Sequence, residues 1–213
     1  AATVNQVYFT VQQFALSIGN ALVVLASQYW GQKRVEPIRT LTGIAFKLGI
    51  LVGGIIVGIC FFFPVPLLRL FTSKPEIIEQ GCSYLAIVEW TFLLFILSQL
   101  FMAALRSVGI VNISFYISVV SLIINVGINY VLIFGKLGFP EMGVRGAAIG
   151  TLIARTIELV IVFIYMMKTD KTVRFFGEGF WKKDASLRRD YTKVYIPIMC
   201  SQVLWGISVP MQT

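Results

Sequence analysis

Residues 48–68 read LGILVGGIIVGICFFFPVPLL, a run with no charged, amide or hydroxyl side chain. At 1.5 Å of rise per residue such a run covers about 30 Å as a helix, the thickness of a bilayer's hydrocarbon core. Read as a membrane span, it has five companions. Residues 5–30 precede the first charged side chain, Lys33; residues 80–105 hold only Glu89 and residues 110–135 none near their centre; 146–167 contain Arg155 and Glu158; 194–213 are apolar to the last residue. Hydrophobic residues make up 57% of the 213 and charged residues 13%, where soluble domains carry about 25% charged. Mean hydropathy is +0.83. Six runs of this length leave too little polar surface to bury them in water, so the expected fold is an all-α polytopic membrane helix bundle with six spans.

The connectors are short, with one exception. Pro64 and Pro66 close the second span, Lys74–Pro75 opens the turn before the third, and Gly135–Gly146 (GKLGFPEMGVRG) has the composition of a tight loop. Residues 168–193 are long and basic and interleave Phe175, Phe176, Phe180 and Trp181 among the cations, which fits either an interfacial segment or a solvated loop. The cations set the orientation. Lys33, Arg34, Arg39, Lys47, Arg106 and eight more in 168–193 fall on one side, against Arg69, Lys74, Lys136 and Arg145 on the other. Loops after the first, third and fifth spans are therefore expected to be cytoplasmic. Topology and anionic lipid account for the net charge of +8 without nucleic acid. The first span then runs from outside to inside with no cationic flank before it, and the last ends inside an apolar run. The expectation is a fragment with at least one helix missing upstream and more sequence downstream.

The polar side chains fall on single helical faces. The first span has Gln6, Thr10, Gln13, Ser17 and Asn20 at steps of four and three. The fourth has Ser114, Ser118, Ser121, Asn125 and Asn129; the fifth has Thr151, Arg155 and Glu158; the sixth has Ser201, Trp205, Ser208 and Gln212. The third is looser, with Tyr84, Glu89, Thr91, Ser98 and Gln99. One such stripe reads as interhelical glue, whereas several that converge read as the lining of a hydrated interior. Gly54–Gly58 and Gly146–Gly150 are GxxxG pairs expected to serve packing.

Three ionisable residues lie at membrane depth. Arg155 and Glu158 are one turn apart and able to pair, either as a structural brace or as a pair that breaks and reforms during transport. Glu89 has no cation near it in sequence; it either reaches a wet vestibule or, if buried, is a proton-carrier candidate. Enzyme signatures are missing: there is no P-loop, HExxH, GxSxG or catalytic carboxylate pair, and the absence of His removes imidazole chemistry. Cys60, Cys82 and Cys200 form no CxxC and no disulfide framework.

The stretch ALRSVGIVNISFYISVVSLIINVGINYVLIFGKLGFPEMGVRGAAIGTLIAR (104–155) resembles the multidrug and toxic compound extrusion (MATE) family in its N-Y-x-L-I-F-G run and the G-A-A-x-G-T that follows. ALVVLASQYWG (21–31), YLAIVEW (84–90) and IPIMCSQVLWGISVPMQT (196–213) are similar to that family's second-helix end, fourth-helix start and seventh-helix start. The resemblance implies helices two to seven of a twelve-helix, two-lobe antiporter. Residues 1–167 would belong to the N-terminal lobe, 168–193 would form the inter-lobe loop, and 194–213 would begin the C-terminal lobe. It also implies Na⁺- or H⁺-coupled export of organic, often cationic or amphipathic compounds from a bacterial inner membrane, with no cofactor beyond the coupling ion. Family members hold that ion with a helix-one Asp, a polar pair on helix five and a Thr on helix six. Asn125, Asn129 and Thr151 match the last three, as a possible Na⁺ site. Position 129 is Asn where some members have Asp, and the helix-one Asp has no counterpart here. Gln13, Asn20, Tyr84, Gln99, Ser118 and Ser121 are the expected substrate-cleft residues. A lipid-linked oligosaccharide flippase of a related family and a non-transporting membrane scaffold are the alternatives; the former favours several basic cleft residues, the latter needs no convergence of polar faces.

Overall fold

Apolar helical runs separated by short Gly-, Pro- and charge-containing breaks become seven helices among the described residues, which in this computed structural model are 2–69, 75–136, 138–169, 174–177, 179–182 and 184–208. They are α1 (Ala2–Gly31), α2 (Val35–Phe62), α3 (Pro64–Arg69), α4 (Pro75–Ser107), α5 (Val111–Phe134), α6 (Gly143–Thr169) and α7 (Ala185–Ser208). The side chains of Gln6, Thr10 and Ser208, and Gln212 altogether, lie outside the described residues. Among the described residues, four helical segments are long and apolar enough to cross a membrane: Val35–Phe62, Tyr84–Ser107, Val111–Phe134 and Arg145–Lys168. The other two expected spans are α1 and α7, of 30 and 24 residues, which carry more polar side chains along their length. The helices overrun the apolar limits read from sequence. Arg39 and Lys47 sit on α2, and α7 starts at Ala185. Loss of apolarity marks where hydrocarbon ends, while backbone hydrogen bonding carries the helix on into water.

Local chemistry sets the ends. Gly135 closes α5 in the left-handed conformation (φ 61°), its N–H donating to the Val131 carbonyl, a geometry that favours glycine. Pro64 starts α3 at the position where its missing N–H costs nothing. Asp184 caps α7, accepting hydrogen bonds from the Leu187 N–H (3.1 Å) and from the Ser186 N–H (2.9 Å) and hydroxyl (2.8 Å). The Leu187 amide first, then Ser186, holds its carboxyl below the usual range.

The bundle is organised around α4, which packs on α1, α2 and α6, while α5 packs on α6 and α7 on α1. Ile18 and Leu22 of α1, Ile38 and Leu41 of α2, and Ile96, Leu100 and Leu105 of α4 are fully buried. The opposite faces keep large apolar side chains exposed, among them Phe115, Ile123 and Val126 of α5, as a lipid-covered bundle requires. Glycines fix two of the approaches. Gly146 of α6 leaves room for the Leu132 carbonyl of α5, which a Cβ would meet at 2.7 Å. On α2 the close-packing glycines are Gly49 and Gly53, set against Leu100, Ile96 and Leu93. The Gly54–Gly58 pair expected to serve packing instead faces open space, because α2 turns the neighbouring row of its surface toward α4.

The basic segment after α6 folds back onto the bundle. Phe175 and Phe180 are buried, and the backbone carbonyl of Phe180 occupies the space a Gly43 side chain would need. Trp181, by contrast, is 73% exposed. Gly43→Ala is therefore expected to cost about 1–3 kcal/mol, the usual range for forced overpacking, because a backbone carbonyl cannot rotate aside as a side chain can. Thermal unfolding of the detergent-solubilised protein measures this; an unchanged midpoint would mean the segment does not dock there.

Candidate functional site

Between α4, α5 and α6 lies a cavity of about 390 Å³. Its wall gathers Tyr84 and Gln99 of α4, Ser118, Ser121 and Asn125 of α5, and Thr151, Arg155 and Glu158 of α6. These positions recur at helical spacing on each helix, so three polar faces meet in one space. Two separate hydrogen-bonded groups reach the cavity wall.

The first is a buried carboxylate. Glu158 is 2% exposed and takes donors from three helices. Ser98 of α4 donates to Oε1 at 3.0 Å; Ser121 of α5 and the Arg155 guanidinium donate to Oε2, each at 2.7 Å. Charge-assisted bonds of this length are the strong kind. The Arg155 side chain is 24% exposed and stacks over Phe95, 4.7 Å from its ring centre, so cation–π attraction adds to the ion pair. The pair expected from sequence is present as a 2.7 Å bridge. Ser98 was not expected in it. Its signal is a heptad-like face of α4, with Tyr84, Val88, Phe95 and Ser98 at helical steps.

One turn along α5 is a chain of amides and hydroxyls. Asn129 Nδ2 donates to Asn125 Oδ1 (3.1 Å), Asn125 Nδ2 to Thr151 Oγ1 (3.5 Å), and the Thr151 hydroxyl to the Ala147 carbonyl (2.8 Å). Every donor points the same way, which leaves Asn129 Oδ1 shielded from solvent with no hydrogen-bond partner among the described residues. Gly150 is packed against that oxygen, and a Cβ there would overlap it. Asn129 does not line the cavity itself; it reaches it through Asn125. The three side-chain oxygens are neutral and hard, a set that accepts a small cation but contributes no charge of its own. Among the described residues, no three His, Cys, Asp or Glu lie together.

Other expected residues lie elsewhere. Glu89 is 3% exposed and is not on the cavity wall. Leu85 and Phe92, one turn to either side of it, belong to an apolar cluster with Val11, Cys60 and Leu68. Glu89 is thus buried, with the apolar Leu85 and Phe92 on the same face of α4. Gln13 is buried and Asn20 half-buried on α1, and neither lines the cavity. Where α1 meets α7, Tyr191 donates to the Ile18 carbonyl at 2.7 Å, and Ser17 donates to the Phe14 carbonyl at 2.7 Å beside Tyr195. Among the described residues, convergence therefore involves the faces of α4, α5 and α6, while Ser17 of α1 lies at the contact with α7. On α7, Ser201 and Trp205 are exposed.

The family model described as MatE matches residues 1–131. The chain is similar to the "Probable multidrug resistance protein YoeA" of Bacillus subtilis, at 27% identity over 207 residues covering 94% of this chain and 44% of that one. It is similar also to the "Probable multidrug resistance protein NorM" of Rhizobium meliloti, at 28% over 198 residues, 91% and 42%. Among solved structures, an outward-facing multidrug resistance MATE family transporter superposes with a TM-score of 0.86 at 18% identity, over 97% of this chain and 45% of that one. An inward-facing one gives 0.79 at 20%, over 95% and 45%. At those identities the likeness is one of fold. The chain spans rather less than half the length of the relatives it matches. A family model that covers more than half of this membrane helix bundle is decisive for kinship: the chain belongs to the MatE family, a family of membrane transporters and not of enzymes.

Proposed function

We propose that this chain forms the ion-coupling half of a secondary antiporter that exports organic compounds by alternating access in a bacterial inner membrane. The observation that carries the reading is the meeting of three polar helix faces in one cavity between bilayer-crossing helices. Uncharged polar groups at membrane depth persist where they face protein or water. The multidrug names of the bacterial relatives support the substrate class. Arg155 is compensated by Glu158, so the wall suits an amphipathic compound, cationic members included, more than a polyanion. Arg155 is the one cation on the described wall, which disfavours a flippase for anionic lipid-linked sugars.

In this reading the coupling ion, Na⁺ or H⁺, enters at Asn125, Asn129 and Thr151. Asn129 Oδ1, buried without a donor, is the atom with most to gain from a cation. Occupancy would reorient the amide chain and reach Glu158 through Ser121, one turn away on α5. Ion and drug then favour different states of the cleft, which is all that antiport requires thermodynamically. Tyr84, Gln99, Ser118 and Ser121 contact the drug. Glu89, buried on α4 away from the cavity wall, is a second proton-carrying candidate. Proteoliposomes containing the full-length transporter should expel a fluorescent organic cation when a Na⁺ or a H⁺ gradient is imposed. Equal rates with and without both gradients would overturn coupled antiport.

A further inference from the structure

A second cavity, of about 470 Å³, opens between α2, α4 and α6 on the cation-rich side of the bundle. Phe46, Phe101 and Phe163 come from the three helices, and Phe176 and Phe180 from the folded-back segment. Their rings meet one another with centroids 4.5–5.9 Å apart: Phe46 on Phe101 and Phe180, and Phe163 on Phe101 and Phe176. The remaining lining is aliphatic except at the rim, where Lys47 and Trp181 stand together. The Lys47 ammonium lies 5.4 Å from the Trp181 ring centre and 3.5 Å from its backbone carbonyl. No carboxylate among the described residues lies within ion-pair distance of it.

Three features limit what occupies this groove. It opens on faces of α2 and α6 that carry Ile50, Leu51, Val160 and Ile164 exposed, a surface only hydrocarbon covers without cost. Its rim lies at a membrane boundary, since Lys47 immediately precedes the uncharged run 48–68, and a Lys–Trp pair is what the headgroup level selects. Its one charge is positive, with no ion-pair partner among the described residues, on the side where positive loops collect and anionic lipid is the matching surface. The volume is within the range of built small-molecule sites.

We propose that this groove binds an anionic phospholipid, with an acyl chain among the aromatic rings and the headgroup phosphate on the Lys47 ammonium. The site is separate from the polar cavity and independent of whether that cavity transports a drug. It ties lipid to the segment after α6, because Phe176 and Phe180 are walls of the groove and Phe180 is also the residue docked on Gly43.

The test is photolabelling of the full chain in mixed micelles with phosphatidylglycerol carrying a diazirine on one acyl chain, with the matching phosphatidylcholine in parallel and sites located by peptide mass spectrometry. Phosphatidylglycerol is expected to label the peptides containing Phe101 and Phe163 about fivefold more than phosphatidylcholine, the factor one lysine contributes at an anionic surface. Lys47→Gln should lower its labelling to the phosphatidylcholine level, and Lys47→Arg should restore it. Val160→Trp, on the lipid-facing rim, should reduce both lipids while the protein still elutes as a single species. Equal labelling by the two lipids, or no change in Lys47→Gln, would overturn headgroup recognition. Absence of label from both peptides would overturn the site and leave the groove to a protein neighbour.

Discussion

Arg155→Ala is expected to destabilise the bundle by about 3–5 kcal/mol, the range seen when one partner of a buried ion pair is removed. The cost arises on the partner that remains. Glu158 is 2% exposed, and without the guanidinium it keeps only the hydroxyls of Ser98 and Ser121. Glu158→Ala is expected to cost less, about 1–3 kcal/mol. Arg155 borders the cavity and can turn toward water, and the Ser98 hydroxyl has the Phe95 carbonyl at 3.1 Å as a second acceptor. The double variant should be less harmful than the two single changes added together. Thermal unfolding in detergent of the four proteins decides it; strict additivity would show that the pair does not act as one.

Asn125→Leu is expected to reduce gradient-driven efflux at least roughly tenfold while leaving expression near normal. Leucine has a similar shape but neither accepts from Asn129 nor donates to Thr151, the two bonds that Asn125 makes. A hydrogen bond to a charged group is worth about 1.5–3 kcal/mol, so at the proposed coupling site the loss of one ligand would weaken ion binding by an order of magnitude or more. The fold loses less, because α5 and α6 remain held by Gly146 against Leu132. Ser114→Ala is the control: Ser114 lies on the same stripe of α5, is buried, and does not line the cavity. Efflux by Asn125→Leu equal to that of Ser114→Ala would remove Asn125 from the coupling site.

These expectations draw unequally on sequence and on folding. An uncharged run of spanning length has one low-energy solution in lipid, a helix that satisfies its own backbone, so the helices of this chain were legible before any packing was known. The same reasoning located the Arg155–Glu158 pair, since i and i+3 on a helix share a face whatever surrounds it. Periodicity likewise identified which side of α5 and α6 is polar.

Periodicity does not say what a polar face meets, because that depends on how helices distant in sequence rotate against one another. Thus Ser17 of the α1 stripe lies beside Tyr195 of α7 and not on the cavity wall, and Ser98, one of several polar residues in its span, became the third helix's hold on Glu158. Glu89 and Glu158 are each the one acid of an apolar run by sequence; tertiary packing added serines from α4 and α5 to the arginine Glu158 already had on its own helix, and buried Glu89 away from the cavity wall. The choice of Gly49 and Gly53 over Gly54 and Gly58 as the close-packing face of α2 was made in the same way. The sequence alone determined membrane residence, helix identity and each helix's own polar side, which are properties of neighbours along the chain. Only the tertiary structure decided which of those sides enclose a common cavity, because that is settled by side-chain shape between helices and leaves no period in the sequence.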